Sequence, residues 1–223
     1  MLSPATEDYL KTIYKLQTEA SGDAVSTGDI AAAMDVSAAS ATNMVKRLAN
    51  FELIAYESYQ GAQLTEAGRK VALEVIRHHR LLELYLKEVM DYSWAELHAE
   101  AEHLEHHISE AFESKLDELL GYPTRDPHGH PIPTREGVVE DVATDSLADL
   151  GAGRPALICH LADDDPALLQ HLEDRGLMPG VRLRVTKAEA FDGPLTVRVG
   201  GPDGPEQLVG HAVAQSVFVR PLD

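Results

Sequence analysis

Residues 26–64 read STGDIAAAMDVSAASATNMVKRLANFELIAYESYQGAQL, and the fold turns on how this stretch is parsed. Ser26 or Thr27 can cap a helix carrying Ile30 and Met34, because a short hydroxyl side chain satisfies the orphan amides of a first turn. Asp35-Val36-Ser37 is a short break. Ser37 caps a second helix running to about Asn50, with Met44, Val45 and Leu48 turned inward. Leu53 to Tyr56, a turn around Gln60-Gly61, and Ala62 to Leu64 then read as a small β-hairpin. Upstream, Tyr9, Leu10, Ile13, Tyr14 and Leu16 recur at helical spacing over residues 6–20. Helix, tight turn, helix, hairpin is the order of a winged helix-turn-helix, whose second helix offers its N-terminal residues to base edges in the major groove. Here those are Ser37, Ala38, Ala39, Ser40, Thr42 and Asn43. Asn43 can contact adenine through two hydrogen bonds, and Ala39 or the Thr42 methyl can touch a thymine methyl. Lys46, Arg47 and the wing can hold phosphates. Small polar residues also start many ordinary helices, so this segment alone is only modest evidence for DNA binding.

Further along, Thr65 and Glu66 open a long helix extending to about Met90, and a second helix is expected over residues 93–119. From Gly121 to Pro133 four prolines and two glycines interrupt any regular helix and mark a domain edge or covering loop. Residues 138–153 are ambiguous. Beyond Pro155 come β-like runs at Leu157–Leu161, Val181–Val185, Leu195–Val199 and Val217–Val219, with a short helix over Pro166–Arg175. They read as a small β-barrel with one helix inserted.

The 223 residues carry one cysteine, Cys159, so no intrachain disulfide framework exists. No apolar run is long enough to span a membrane, and MLSPATEDYL has no signal-peptide pattern; a cytoplasmic protein is expected. The net charge of −18 argues against simple electrostatic DNA binding. Yet residues 1–70 hold only 9 acidic against 6 basic side chains, whereas residues 71–140 hold 15 against 6 together with 8 of the 11 histidines. Weak basic charge predicts low non-specific affinity, so tight binding needs a dimer or several dimers per site.

That acidic, histidine-rich segment suits hard or borderline divalent metals. The helix beginning near Ser93 carries His98, Glu102, Glu105 and His106 on one stripe, and His79 and Glu83 stand one turn apart on the preceding helix. Asp8 sits among apolar neighbours of the first helix. Glu102 and Glu105 on one stripe repel unless a cation neutralises them. Any one of these residues is more simply a solvated side chain; the set is harder to dismiss. His78, His103 and His107 read as exposed, and His128 and His130 as solvated or structural.

Several motifs resemble the diphtheria-toxin-repressor-type metalloregulator family over nearly the full chain: Thr6-Glu7-Asp8-Tyr9-Leu10 with Ile13-Tyr14, the helix from Val36 to Leu48, and Leu64-Thr65-Glu66-Ala67-Gly68. Others are His79-Arg80-Leu81-Leu82-Glu83, His98 to His106, and Gly129-His130-Pro131-Ile132-Pro133. The resemblance implies a mainly α chain with a small β domain. Residues 1–70 would form the winged helix-turn-helix, 71–140 a helical dimerisation and metal-binding domain, and 150–223 an SH3-like β-barrel. It places a primary metal site on Asp8, Glu102, Glu105 and His106, and an ancillary one on His79, Glu83 and His98 with His160 and Asp163. The iron-responsive branch has methionine and cysteine at the positions of Asp8 and Glu102. Two carboxylates in their place resemble the manganese-responsive branch and suit Mn(II), with Fe(II) as the other candidate and zinc or cobalt able to substitute in vitro. The two-domain manganese sensors carry a glutamate at the position of Lys11, a departure that bears on their paired-metal arrangement.

The expected activity is a homodimeric, metal-dependent repressor that binds double-stranded operator DNA and controls metal-uptake and homeostasis genes. Repulsion of Asp8 by Glu102 and Glu105 would loosen the first helix until a divalent cation neutralised the cluster. The competing reading is a winged-helix regulator answering to a non-metal signal. A metal-dependent enzyme is disfavoured: there is no His-Glu-x-x-His motif, glycine-rich phosphate loop or nucleophile motif.

Overall fold

A computed structural model describes residues 2–20, 23–140, 143–162 and 165–222. Their contacts divide the chain into two compact units, one of Met1–His79, Glu102–Glu113 and Pro133–Val139, the other of Arg80–Ala101, Ser114–Ile132 and Glu140–Asp223.

In the first unit α1 (Pro4–Glu19), α2 (Thr27–Ala33) and α3 (Ala38–Asn50) are followed by the antiparallel pair β1 (Ile54–Glu57) and β2 (Gly61–Leu64). Each helix begins on a serine whose side chain accepts an amide of the first turn: Ser3 from Thr6, Ser26 from Asp29, Ser37 from Ser40. Such a cap contributes about 1 kcal/mol. Asp35 makes the turn between α2 and α3 at φ 50°, a left-handed conformation that a short polar residue adopts at modest cost. Leu10, Ile13, Ile30, Val45 and Leu48 are fully buried and join Val25, Ile54 and Ala62 in one core. Val25 also pairs with Ala62 alongside the hairpin. Gly61 is required there: its φ is 103°, and a Cβ would lie 2.6 Å from the Val25 carbonyl oxygen.

α4 (Glu66–Glu88) and α5 (Trp94–Leu104) contribute residues to both units. The single helix expected over 93–119 is in fact two, α5 and α6 (Glu110–Leu119). Glu105, His106 and His107 form a turn. Ser109 then starts a new helix, its hydroxyl accepting the Phe112 amide and its carbonyl the Glu113 amide. A serine followed by an acid at the first helical position is a stop-and-restart signal that the unbroken apolar periodicity hid.

The second unit is built on a six-stranded antiparallel sheet. It comprises β3 (Asp145–Ser146), β4 (Pro155–Leu161), β5 (Arg182–Ala188), β6 (Leu195–Val199), β7 (Glu206–Val209) and β8 (Val217–Pro221) in the order β3-β8-β4-β5-β6-β7. Alternate residues face its core: Leu195, Val197 and Val199 on β6, Val217 and Val219 on β8. Register shifts at Ile158/His160 and Val185/Lys187 bend β4 and β5. α7 (Pro166–Asp174) occupies the insertion expected from the sequence, and buries Leu169 and Leu172. β3, β7 and the one-turn α8 (His211–Gln215) lacked a sequence signal, being too short to show a period. Among the described residues no helix is long and apolar enough to cross a membrane.

Candidate metal centres and the DNA-reading helix

The first cluster lies in the first unit. α1 supplies Glu7, Asp8 and Lys11, α4 supplies His79, the last turn of α5 supplies Glu102, and the turn after it supplies Glu105 and His106. The Glu105 carboxylate is wholly buried, yet both its oxygens are engaged. Lys11 Nζ donates to its Oε1 at 2.8 Å and its Oε2 at 2.9 Å, and His79 Nδ1 lies 2.5 Å from Oε2. Lys11 also donates to Glu102 Oε1 at 2.5 Å. His106 links α1 to the turn, with Nδ1 2.6 Å from Glu7 Oε2 and Nε2 2.8 Å from Asp8 Oδ1 and 3.4 Å from Glu105 Oε1. Ligand atoms of Asp8, Glu105 and His106 lie within 4.8 Å of one another, and so do those of His79, Glu102 and Glu105.

Three expectations need correcting. The carboxylates do not simply repel, because the Lys11 ammonium lies between Glu102 and Glu105. Glu102 does not share the close group of Asp8 and His106; it is held by Lys11 and groups with His79. His78, expected exposed, is buried, its Nδ1 3.1 Å from the Glu105 carbonyl oxygen and its Nε2 3.6 Å from Glu113. Burial pushes the Asp8 carboxyl up; His106 and Lys11 pull it down, while Glu102 and Glu105 raise it further. For Lys11, burial lowers the pKa, but Glu105 and Glu102 together outweigh it and the ammonium is stabilised. One buried carboxylate, the part-exposed carboxylates of Asp8 and Glu102, and the imidazole of His106, with no sulfur, form a donor set that fits a hard divalent cation.

The second cluster lies in the second unit and was largely missed in the sequence. Asp126, His128 and His130 have ligand atoms within 4.8 Å of one another, and His128 and Asp126 are buried. Asp126 Oδ1 accepts the His128 and His130 amides at 2.9 Å each, folding the loop around its own carboxylate. Gly129 makes this possible: its φ is 90°, and a Cβ would lie 2.1 Å from the Cys159 carbonyl oxygen. Arg80 fixes the same loop, lying 3.4 Å from Asp126 Oδ2 and donating to the Pro131 carbonyl. Glu83 connects it to α5, with His128 Nδ1 3.5 Å from one carboxylate oxygen and His98 Nδ1 3.2 Å from the other. The alternating Asp126-x-His128-x-His130 spacing, with glycine inside it, was the available signal.

Of the proposed ancillary ligands, Glu83 and His98 are thus in contact. His160 stacks on Phe218 at 4.4 Å and lies 5.0 Å from the His130 ring, outside the close group. Burial, with the nearby His130, lowers its pKa to about 4, so the imidazole is neutral. His79 bonds to Glu105 of the first cluster. Asp163 lies outside the described residues.

On α3 the side chains of Ser37, Ala38, Ala39, Ser40, Asn43, Lys46 and Arg47 are exposed, and Thr42 is half-buried. Ser37 and Ser40 spend part of their hydrogen-bonding capacity on the cap. The Thr42 hydroxyl donates to the Ala38 carbonyl at 2.7 Å, leaving its methyl as the apolar contact group. Arg47 lies over the Phe51 ring at 5.7 Å.

Comparison with known proteins gives three successive matches along the chain. Residues 1–62 match the iron dependent repressor N-terminal DNA binding domain, 65–134 the iron dependent repressor metal binding and dimerisation domain, and 146–221 the FeoA domain. The iron-dependent repressor IdeR of Mycobacterium tuberculosis (strain ATCC 25618 / H37Rv) is 33% identical over 231 residues, covering 98% of this chain and 98% of its own. The HTH-type transcriptional regulator MntR of Geobacillus kaustophilus (strain HTA426) is 36% identical over 122 residues, 55% of this chain and 84% of its own. A solved manganese-dependent transcriptional repressor in complex with manganese superposes with a TM-score of 0.85 at 36% identity, over 97% of this chain and 100% of that one. With a winged helix, a helical segment bearing clustered carboxylates and imidazoles, and a FeoA sheet in that order, the chain belongs to the diphtheria-toxin-repressor-type family of iron- and manganese-dependent repressors.

Proposed function

We propose that the protein is a manganese-activated repressor, with Fe(II) as the competing signal, that binds operator DNA as a homodimer and controls metal-uptake genes. The observation that carries this reading is the grouping of Asp8, Glu105 and His106 within ligand distance of one another with no sulfur among them. Carboxylate and imidazole donors suit Mn(II) better than a soft-metal site would. The similarity to the manganese-dependent repressor supports the same choice. A divalent cation bound there would supply two positive charges between α1 and the turn after α5.

The protein's own side chains do the rest. Asp8 comes from the helix that packs on α2 and α3, whereas Glu105 and His106 come from the turn. Holding these three together fixes α1, and through the shared core fixes the angle at which α3 presents Asn43. His106 Nδ1, held by Glu7, leaves Nε2 aimed at Asp8, as a partner on one ring nitrogen orients the other. Glu83, Asp126, His128 and His130, with His98, form a second centre that stabilises the other unit. We retain His160 and Asp163 as candidate auxiliary ligands, and 1–70, 71–140 and 150–223 as the working domain limits.

Selection from random duplexes by the full chain tests this. With Mn(II), a pseudo-palindromic site should be enriched; with chelator, none. Asn43→Ala should then cost about 1–3 kcal/mol at one base position in each half-site. Equal enrichment with and without chelator would favour the regulator with a non-metal signal, for which the ion-paired state of Glu102 and Glu105 is the motivating observation.

A further inference from the structure

We propose that the outer face of the second unit's sheet holds a site for a small organic dianion, its charge carried by phosphate or carboxylate oxygens on an apolar frame. Alternation puts Leu183 and Val185 of β5, Val197 and Val199 of β6, and Val217 and Val219 of β8 in the core. Arg182, Arg184, Arg198 and Arg220 therefore share the opposite face. The register sets Pro155, Arg184, Arg198 and Glu206 side by side on four adjacent strands, about 4.8 Å apart. Arg182 stands two residues from Arg184, roughly 6.8 Å along the strand. Like charges directly opposite one another destabilise a sheet, yet Arg184 and Arg198 are such a pair. Arg198 is neutralised, donating to Glu206 Oε1 at 2.7 Å and to the Pro202 carbonyl at 3.2 Å. Arg182 and Arg184 have no ion-pair partner among the described residues, in a chain with 37 acidic and 19 basic side chains. These three arginines line one cavity of about 370 Å³, with Pro155, Pro202 and Leu222 among its other walls. That volume lies toward the low end of small-ligand pockets, about 300–1,000 Å³, and has room for a ring or a short chain. Two unpaired guanidiniums call for two negative charges, and the planar fork of each matches carboxylate or phosphate oxygens. The apolar walls call for a frame that a bare inorganic ion lacks. A net charge of −18 repels anions in general, so uptake at this face belongs to the arginines themselves. The site does not depend on the metal reading.

The test titrates the metal-free full-length protein by calorimetry with phenyl phosphate, phthalate, inorganic phosphate and benzoate. The first two join a ring to two negative charges; inorganic phosphate lacks the ring, and benzoate the second charge. Phenyl phosphate, phthalate or both should bind once per chain, at least about tenfold more tightly than inorganic phosphate or benzoate. The tighter of the two shows whether phosphate or carboxylate is the group recognised. Arg182→Gln and Arg184→Gln should each weaken that binding by about tenfold or more. Neither should lower the melting temperature, because neither side chain has an ion-pair partner in the fold. Lys115→Gln, which removes an exposed charge from α6, should leave the affinity unchanged. Absence of saturable binding by both ring anions would overturn the proposal. So would equal affinity for inorganic phosphate, or equal weakening by Lys115→Gln. A non-operator duplex or a polyglutamate peptide that binds through Arg182 and Arg184 while both ring anions fail would assign the face to a macromolecule instead.

Discussion

The two clusters use similar side chains under opposite electrostatic conditions. In the first, Glu7, Asp8, Glu102 and Glu105 are met by Lys11, His79 and His106, and the ammonium is sealed in with the most buried carboxylate. In the second, Glu83 and Asp126 face His98, His128 and His130. The cationic side chains there are Arg80, whose guanidinium stays 3.4 Å from Asp126 and spends a donor on the Pro131 carbonyl, and Arg125, which donates to the Gly129 carbonyl of the same loop at 2.8 Å. Asp126 is organised instead by backbone amides of its own loop. The first cluster joins side chains from separate helices through charge. The second is a preformed loop, shaped by Gly129 and anchored where Leu161 donates its amide to the His128 carbonyl. Charge should therefore dominate substitution effects at the first, and loop geometry at the second.

The largest expected effect is at Glu105. Glu105→Ala leaves the buried Lys11 ammonium with only the part-exposed Glu102 carboxylate, and breaking such a buried pair costs about 3–5 kcal/mol; chemical denaturation in chelator should show it, and a loss below about 1 kcal/mol would remove the contrast between the clusters. Asp8 and Glu102 are each more than a third exposed, so Asp8→Ala and Glu102→Ala should keep the fold. Asp8→Ala should raise the Mn(II) concentration needed for operator binding by at least about 10–100-fold, taking losses of supporting partners as the lower bound. Glu102→Ala should also lose metal-dependent binding, here because Lys11 is left without one of its two carboxylates and competes more strongly for Glu105. His128→Ala should lose an ion from the second unit while operator binding still responds to Mn(II), with a requirement shifted by about tenfold; complete loss of response would make the second centre the switch.

The smallest effect is a pH signature. The His160 pKa is about 4, below the ordinary 6.5, so in mild acid the unfolded chain takes up a proton that the folded one refuses. Stability from this residue is full above about 6.5 and declines as pH falls toward about 4. His160→Phe keeps a ring against Phe218 and should melt with a shallower dependence on pH across that window. A parallel dependence would mean that His160 does not contribute.

The winged helix was legible because its signals are local. Ser26 and Ser37 cap helices, Asp35 and Gly61 take the left-handed turns, and the apolar spacing selects the residues that become the core. The four main sheet strands were legible for the same reason, with alternation showing on β6 and β8. The break between α5 and α6 was not, since apolar periodicity continues through it and only Ser109 marks the restart. At the sites, residue types were readable but partnerships were not. Lys11 departs from the pattern of the two-domain manganese sensors, yet nothing in the spacing indicates that a residue of α1 reaches Glu102 and Glu105. His128 and His130 looked like loop histidines because their burial depends on contacts with β4 and α4 that are distant in sequence.

The central claim is that a metal ion at the first cluster governs DNA binding, and fluorescence anisotropy of a labelled operator duplex at fixed salt tests it most directly. The full-length protein should bind with Mn(II) at low concentration and not with chelator, and Asp8→Ala should bind in neither condition. Wild-type binding of equal affinity with and without chelator would contradict the account.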